Sequence, residues 1–103
     1  MLAEFSIIPL DRGMGMKDSI AALLDLVDRS GLNYELTAMG TLVEGDDAKV
    51  WDLLRQCHDQ ATQISDRVET HITIDDRKGV TGRLAGKVRE VEAILGRKLR
   101  TSI

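Results

Sequence analysis

Two strand patterns joined by a tight turn lie in Gly31-Leu-Asn-Tyr-Glu-Leu-Thr-Ala-Met-Gly-Thr-Leu-Val-Glu-Gly45. The strand-like runs cover residues 34–37 and 41–44. Because glycine tolerates positive φ, we expect Gly31 to follow the end of a helix and Gly40 to form the turn. A glycine-bounded hairpin between two long amphipathic segments is typical of a compact α+β domain.

The segments on either side of the hairpin predict the remaining elements. Apolar periods of 2 and 3.6 residues predict strands at 3–9, 33–38, 40–45 and 67–75 and helices at 16–30, 47–65 and 82–95. Asp46 is placed to cap the second helix. The order β-α-β-β-α-β, with an additional C-terminal helix, predicts an antiparallel ferredoxin-like sheet with two helices on one face. Residues 1–96 form one predicted domain and residues 97–103 a basic C-terminal tail.

Composition is typical of a folded cytoplasmic protein. The chain has 103 residues, of which 43% are hydrophobic and 30% charged, so one domain with one core is expected. No apolar run approaches the roughly 20 residues that cross a bilayer, and the N-terminus lacks a signal-peptide pattern. Its one cysteine cannot form an internal disulfide. Aromatic residues are 3% of the chain, which argues against a stacking platform for single-stranded nucleic acid.

Charge is divided unevenly along the chain. Residues 1–76 carry 6 basic and 15 acidic side chains, whereas residues 77–103 carry 8 basic and 2 acidic ones. A basic C-terminal segment suits an anionic partner such as RNA. It equally suits the acidic surface of its own chain or of a sister subunit, and we favour this second interpretation because part of the segment lies on a helix that has to pack.

No catalytic or metal-binding motif stands out. Cys57 lies on the apolar stripe of the second helix, where a buried and unreactive thiol is expected. His58 and His71 lie on different elements, so a metal site that joins them to Cys57 is disfavoured. Without a nucleophile–base pair the chain is predicted not to be an enzyme, and no metal or cofactor is expected. Three methionines are interpreted as core filler, with an adaptable pocket as the alternative: Met14, Met16 and Met39.

The sheet face opposite the two helices is the better candidate for function. A two-residue turn at Ala38-Met39 pairs Leu36 with Thr41 and Tyr34 with Val43. The opposite face then carries carboxylates, hydroxyls and a few apolar side chains: Glu4, Ser6, Ile8, Glu35, Thr37, Leu42, Glu44, Glu69, His71 and Thr73. Such a surface suits a small amine-bearing heterocycle, a contact between subunits, or plain solvation.

Several short motifs in the right order resemble the small thiamine-binding-protein family. The hairpin contributes Gly-Leu-x-Tyr-Glu-Leu at 31–36 and Thr-x-x-Glu-Gly at 41–45. The remaining motifs are Ile7-Ile-Pro-Leu10, Glu44-Gly-Asp46, Arg67-Val68, Ile74-Asp-Asp-Arg77, and Lys87 with Val88 and Val91. The resemblance implies a ferredoxin-like unit that binds thiamine or its hydroxymethylpyrimidine part and assembles as a homodimer or homotetramer.

The resemblance and the open face together give a candidate ligand site. Its residues are Ser6, Ile8, Thr37, Thr41, Glu44 and His71. Acceptors on Ser6, Thr41 and Glu44 would hold an aminopyrimidine over an apolar floor, and a nearby carboxylate would favour the positive charge of a thiazolium. Thr41 and Glu44 are three residues apart in one strand, so either a bulge brings them together or only one of them touches the ligand. The alternatives are a structural or regulatory homo-oligomer without a ligand, and an RNA-associated protein.

Overall fold

The computed structural model describes residues 1–11 and 16–101, and for Met16 it describes the backbone alone. The elements follow the order β1 (Leu2–Pro9), α1 (Met16–Arg29), β2 (Asn33–Leu36), β3 (Thr41–Glu44), α2 (Asp47–Ile64), β4 (Val68–Asp75) and α3 (Arg83–Leu95). The predicted α+β class, ferredoxin-like element order and additional C-terminal helix are all confirmed.

The four strands form one sheet in the order β2-β3-β1-β4, and all three pairings are antiparallel. β4 therefore lies at an edge of the sheet. The predicted hairpin register is also confirmed, since Leu36 pairs with Thr41 and Tyr34 with Val43. Alternation along β1 turns Ala3 and Phe5 toward the helices, and both are buried.

The core lies between this face of the sheet and the first two helices. α1 contributes Leu23 and Val27, both buried. The buried stripe of α2 follows the helical period: Val50, Leu53, Leu54, Cys57 and Ala61. His58 Nδ1 lies 2.7 Å from Thr70 Oγ1 and ties α2 to β4. The opposite face of the sheet is not covered by these two helices, as predicted, and Ile8 and Leu42 on that face are half-buried.

Two expectations about turns and caps are wrong. Gly40 does not adopt positive φ, whereas Gly31 does, at +76°. A Cβ on Gly40 would lie 3.1 Å from the Phe5 carbonyl oxygen, which is tighter than an ordinary contact, so glycine suits the close approach of the turn to β1. Asp46 occupies the N-cap position of α2 without a side-chain capping bond. Its carbonyl accepts from the Val50 N–H at 2.9 Å, while the residue stays exposed.

Cys57 is buried as expected. Burial raises the pKa of its thiol to about 11, so at neutral pH the group is protonated and a poor nucleophile. The Sγ lies 3.9 Å from the Leu23 carbonyl oxygen, in the packing between α1 and α2.

Candidate functional site

A notch in the sheet arises because β1 is longer than its neighbour β3. β1 pairs with β4 along its whole length, from Leu2 to Pro9. It pairs with β3 only from Leu2 to Phe5, because β3 begins at Thr41 directly after the hairpin turn. Residues 6–8 of β1 thus have no β3 residue beside them.

The backbone of β1 faces this notch. The contact between the Gly40 position and the Phe5 carbonyl shows that the carbonyl points toward β3. In an antiparallel strand the N–H and C=O of one residue point to the same side, and this side alternates from residue to residue. The N–H and C=O of Ile7 therefore point toward the notch, where β3 has no residue opposite them.

The notch is part of a cavity of about 480 Å³ between β1, α1 and the β2–β3 turn. This volume lies within the usual range of small-molecule sites. α1 and β1 supply most of the apolar lining, and the turn supplies the rest together with a hydroxyl. The described lining residues are Phe5, Ser6, Ile7, Ile8, Ile20, Leu23, Leu24, Leu36, Thr37, Ala38, Met39, Gly40 and Thr41.

Four of the six predicted ligand residues line this one cavity: Ser6, Ile8, Thr37 and Thr41. They come from β1 and from the two ends of the hairpin turn. As ligand contacts they remain predictions, but the fold brings them to one place. The four residues surround the notch. The site extends to the side of the sheet that faces the helices, because Thr41 lies on the same side as Phe5.

The three hydroxyls of this group differ in their hydrogen bonding. Thr37 Oγ1 donates to the Gly40 carbonyl at 2.8 Å and accepts from the N–H groups of Met39 and Gly40, at 3.2 and 3.1 Å. It therefore holds the turn in shape. Thr41 is 7% exposed, and within the described part of the chain neither its hydroxyl nor that of Ser6 makes a side-chain hydrogen bond. Among the described residues no buried side-chain polar atom lacks a partner, so the Thr41 hydroxyl reaches the open space of the cavity and can pair with a ligand there.

Glu44 and His71 lie outside the cavity lining. Regular alternation along β3 puts Glu44 on the face opposite Thr41, so no bulge brings the two together. Its carboxylate caps α3: Oε2 accepts from the Arg83 N–H at 2.6 Å and Oε1 from the Leu84 N–H at 3.2 Å. His71 is exposed on the open face, with Nε2 2.7 Å from Glu69 Oε1.

The capping role predicts how a Glu44→Ala variant behaves. Two charge-assisted bonds to free amides at the start of a helix are lost, so we expect the free energy of unfolding to fall by about 1–2 kcal/mol. The amides of Arg83 and Leu84 should exchange hydrogen faster, while the affinity of the cavity for any ligand stays within about twofold. Denaturant unfolding, hydrogen exchange and calorimetry measure these effects.

Glu35→Ala is the matched control, because Glu35 is a half-buried carboxylate on the same sheet face and pairs with Leu42 beside Glu44. It should change stability by less than about 0.5 kcal/mol. If Glu44→Ala weakened ligand binding and left hydrogen exchange at the start of α3 unchanged, Glu44 would be a ligand-binding residue and not a helix cap.

The cavity lining carries no charged side chain among its described residues. An ion moved into such surroundings without a partner would lose hydration and gain no opposite charge. The expected carboxylate beside a thiazolium is thus not found in the described lining. Hydroxyls and backbone groups over an apolar wall suit an uncharged, hydrogen-bonding ring instead.

Sequence reasoning missed the contribution of α1 to the cavity, and for Met39 it favoured core filler over the alternative of a pocket. Ile20, Leu23 and Leu24 are recognisable as a helical apolar stripe, but nothing in the stripe shows that one flank faces a cavity. Met39 is not core filler, since it is 87% exposed at the tip of the turn and also lines the cavity. Met14 lies outside the described residues, as does the side chain of Met16.

In residues 1–11 and 16–101, His, Cys, Asp and Glu side chains form no group of three that could hold a metal ion. No helix in the same residues is both long enough and apolar enough to span a membrane.

Comparison with known proteins gives a consistent match along the chain. The family model described as thiamine-binding protein matches residues 3–92. The UPF0045 protein MJ1052 of Methanocaldococcus jannaschii is 29% identical over 91 residues, which cover 88% of this chain and 91% of that protein. The UPF0045 protein Mb1933 of Mycobacterium bovis is 34% identical over 96 residues, which cover 92% of this chain and 94% of that protein.

Solved structures share the same fold. The crystal structure of MJ1052 superposes with a TM-score of 0.79, covering 87% of this chain and 93% of that one. The Thermotoga maritima protein TM0486, described as a proposed thiamine biosynthesis/salvage protein, superposes with a TM-score of 0.76 at 20% identity and covers 87% and 96% of the two chains.

Proposed function

Since the chain belongs to the thiamine-binding protein family, we propose that it binds thiamine or its hydroxymethylpyrimidine part in the cavity between β1, α1 and the β2–β3 turn. We propose further that it holds this ligand without catalysing a reaction. The observation that carries the proposal is Thr41, which lines the cavity and whose hydroxyl makes no side-chain hydrogen bond within the described residues, so that the hydroxyl is available to a ligand.

The chemistry of an aminopyrimidine fits the lining. Its flat ring has two apolar faces, which would lie against the leucine and isoleucine side chains of α1 and β1. Its amino group and ring nitrogens are a donor and acceptors, which the hydroxyls of Ser6 and Thr41 and the backbone of Ile7 could pair. The described TM0486 role in thiamine biosynthesis or salvage agrees with a ligand of this class.

The lining also predicts which end of thiamine enters the cavity. A cationic thiazolium would be poorly solvated among the described lining residues, which offer no carboxylate. The pyrimidine therefore enters the cavity and the thiazolium stays at the mouth, in contact with water. Hydroxymethylpyrimidine and thiamine should then bind with affinities within about one decade of each other.

Thr41→Val tests the proposal at its central group. Valine keeps the shape of threonine but removes the hydroxyl, so one neutral hydrogen bond worth about 0.5–1.5 kcal/mol is lost. We expect both ligands to bind about 2- to 12-fold more weakly by isothermal titration calorimetry. Because the hydroxyl has no partner in the described chain, stability should stay the same or rise slightly.

Thr73→Val is the control, because Thr73 is exposed on the open face of β4, away from the cavity. It should leave both affinities unchanged. Absence of binding by the wild-type protein to either ligand, at millimolar concentration, would overturn the proposal and leave the ligand-free oligomer as the better interpretation.

A further inference from the structure

A second cavity, of about 400 Å³, lies between the end of α1, the first turns of α2 and the link from α1 to β2. Its volume is within the usual range of small-molecule sites. The described lining residues are Leu26, Arg29, Ser30, Leu32, Lys49, Asp52, Leu53 and Gln56. No described residue lines both this cavity and the one between β1, α1 and the β2–β3 turn, so the two are separate.

The cavity lies where the chain turns sharply out of α1. Arg29 is the last residue of the helix, and Ser30 holds the turn that follows. The Ser30 hydroxyl donates to the Val27 carbonyl at 2.6 Å and accepts from the Leu32 N–H at 3.2 Å. Gly31, at φ +76°, completes the turn. The turn places the Leu32 side chain in the lining, and its own hydroxyl is fully used.

The interior of this cavity is apolar and its mouth is cationic. Leu53 is 3% exposed, and Leu26 and Leu32 are half-buried. Arg29 and Lys49 are both exposed, and they come from different helices. A ligand would therefore meet leucine side chains inside the cavity and two positive charges where it opens to water.

Lys49 has no hydrogen-bond or ion-pair partner within the described chain. Asp52 lies one turn further along α2, but its carboxylate accepts from Arg55 Nη2 at 3.1 Å and from Gln56 Nε2 at 2.7 Å. Lys49 also lies in the first turn of α2, where the helix dipole disfavours a positive charge. An anion bound beside its ammonium group would supply the missing partner and offset the unfavourable dipole.

Arg29 provides a second cation that is only partly used. Its Nε lies 3.1 Å from Asp25 Oδ2, while its two terminal nitrogens have no partner among the described residues. Such a planar pair of nitrogens matches the two oxygens of a carboxylate. Because Asp52 also lines the cavity, a singly charged anion is favoured over a dianion such as phosphate.

We propose that this cavity binds a small monocarboxylate with a branched apolar body. The leucine side chains would remove the apolar body from water, and Lys49 and Arg29 would pair with the carboxylate at the mouth. The apolar body is small, and ion pairs at an exposed mouth contribute little, so the affinity is expected to be in the millimolar range. The site is independent of the proposed thiamine site.

The test uses isovalerate as the probe, titrated to about 50 mM at constant ionic strength and followed by two-dimensional amide NMR. We expect saturable shifts of the Ser30, Leu32 and Leu53 amide signals with a Kd of about 1–10 mM. Isovaleramide has the same apolar body without the charge, and it should bind at least about threefold more weakly.

Lys49→Gln should weaken isovalerate binding at least about threefold, whereas Lys49→Arg keeps the charge and should stay within about twofold of the wild type. Lys78→Gln is the matched control, because Lys78 is exposed and lies outside the cavity lining. It should leave the affinity unchanged. All three are surface substitutions, so their unfolding midpoints should stay near that of the wild type.

Three results would each overturn the proposal. The first is the absence of saturable shifts at the cavity amides of the wild type. The second is equally strong binding of isovaleramide, and the third is an unchanged isovalerate affinity in folded Lys49→Gln.

Discussion

Leu24→Trp is expected to weaken the binding of thiamine and of hydroxymethylpyrimidine by at least about 100-fold, or about 2.7 kcal/mol. Leu24 lies on α1 and lines the cavity, where it is half-buried. An indole at this position would occupy space that the ligand ring needs. Because the cavity already offers room, the larger side chain should cost little stability, in contrast to overpacking a filled core.

Ala22→Trp separates occlusion from a general effect of tryptophan on α1. Ala22 is exposed on the same helix and does not line the cavity. Calorimetry should give wild-type affinities for Ala22→Trp and no measurable heat for Leu24→Trp at the same concentrations. If a folded Leu24→Trp protein bound both ligands with wild-type affinity, the ligands would occupy another site, even if Thr41→Val weakened their binding.

The hairpin was predictable because its information is local. Alternation of side chains over four residues and a two-residue turn fix the pairing of Leu36 with Thr41, and a slip of one residue would turn Val43 out of the core. The faces of β1 and β4 follow from the same alternation. The place of Cys57 on the buried stripe of α2 was predicted correctly, since this stripe repeats at the helical period.

The cavity was not predictable in the same way. It depends on where β3 begins relative to β1, and on which flank of α1 lies over the gap. Both are relations between elements distant in sequence, so no local pattern encodes them. The site predicted on the open face therefore includes residues of the notch, such as Ser6 and Ile8, together with His71, which lies outside the cavity lining.

The role of Glu44 also depends on a contact between residues that are distant in sequence. Its motif position suggested a ligand contact, whereas its carboxylate bonds the start of a helix. The helix that it caps begins 39 residues later in the chain, at Arg83, rather than at the adjacent α2. Sequence spacing identifies a carboxylate that is free to cap a helix, but only the folded chain shows which helix it meets.

Leu54→Ala is expected to reduce the free energy of unfolding by about 2–5 kcal/mol, because it removes a packed side chain from between α2 and the sheet. Leu54 is 3% exposed and belongs to the core cluster, so the lost contacts leave a cavity that neighbouring side chains fill only in part. Urea unfolding should show a lower midpoint with an unchanged slope, and the melting temperature should fall by about 10 °C or more.

Trp51→Ala on the same helix is the decisive comparison, since tryptophan is larger than leucine but here is 51% exposed. If packing inside the single chain governs stability, its loss should cost less than about 1.5 kcal/mol and less than the loss of Leu54. The reverse order, with Trp51→Ala the more destabilising of the two, would mean that the outer face of α2 is covered in solution and would contradict the core described here.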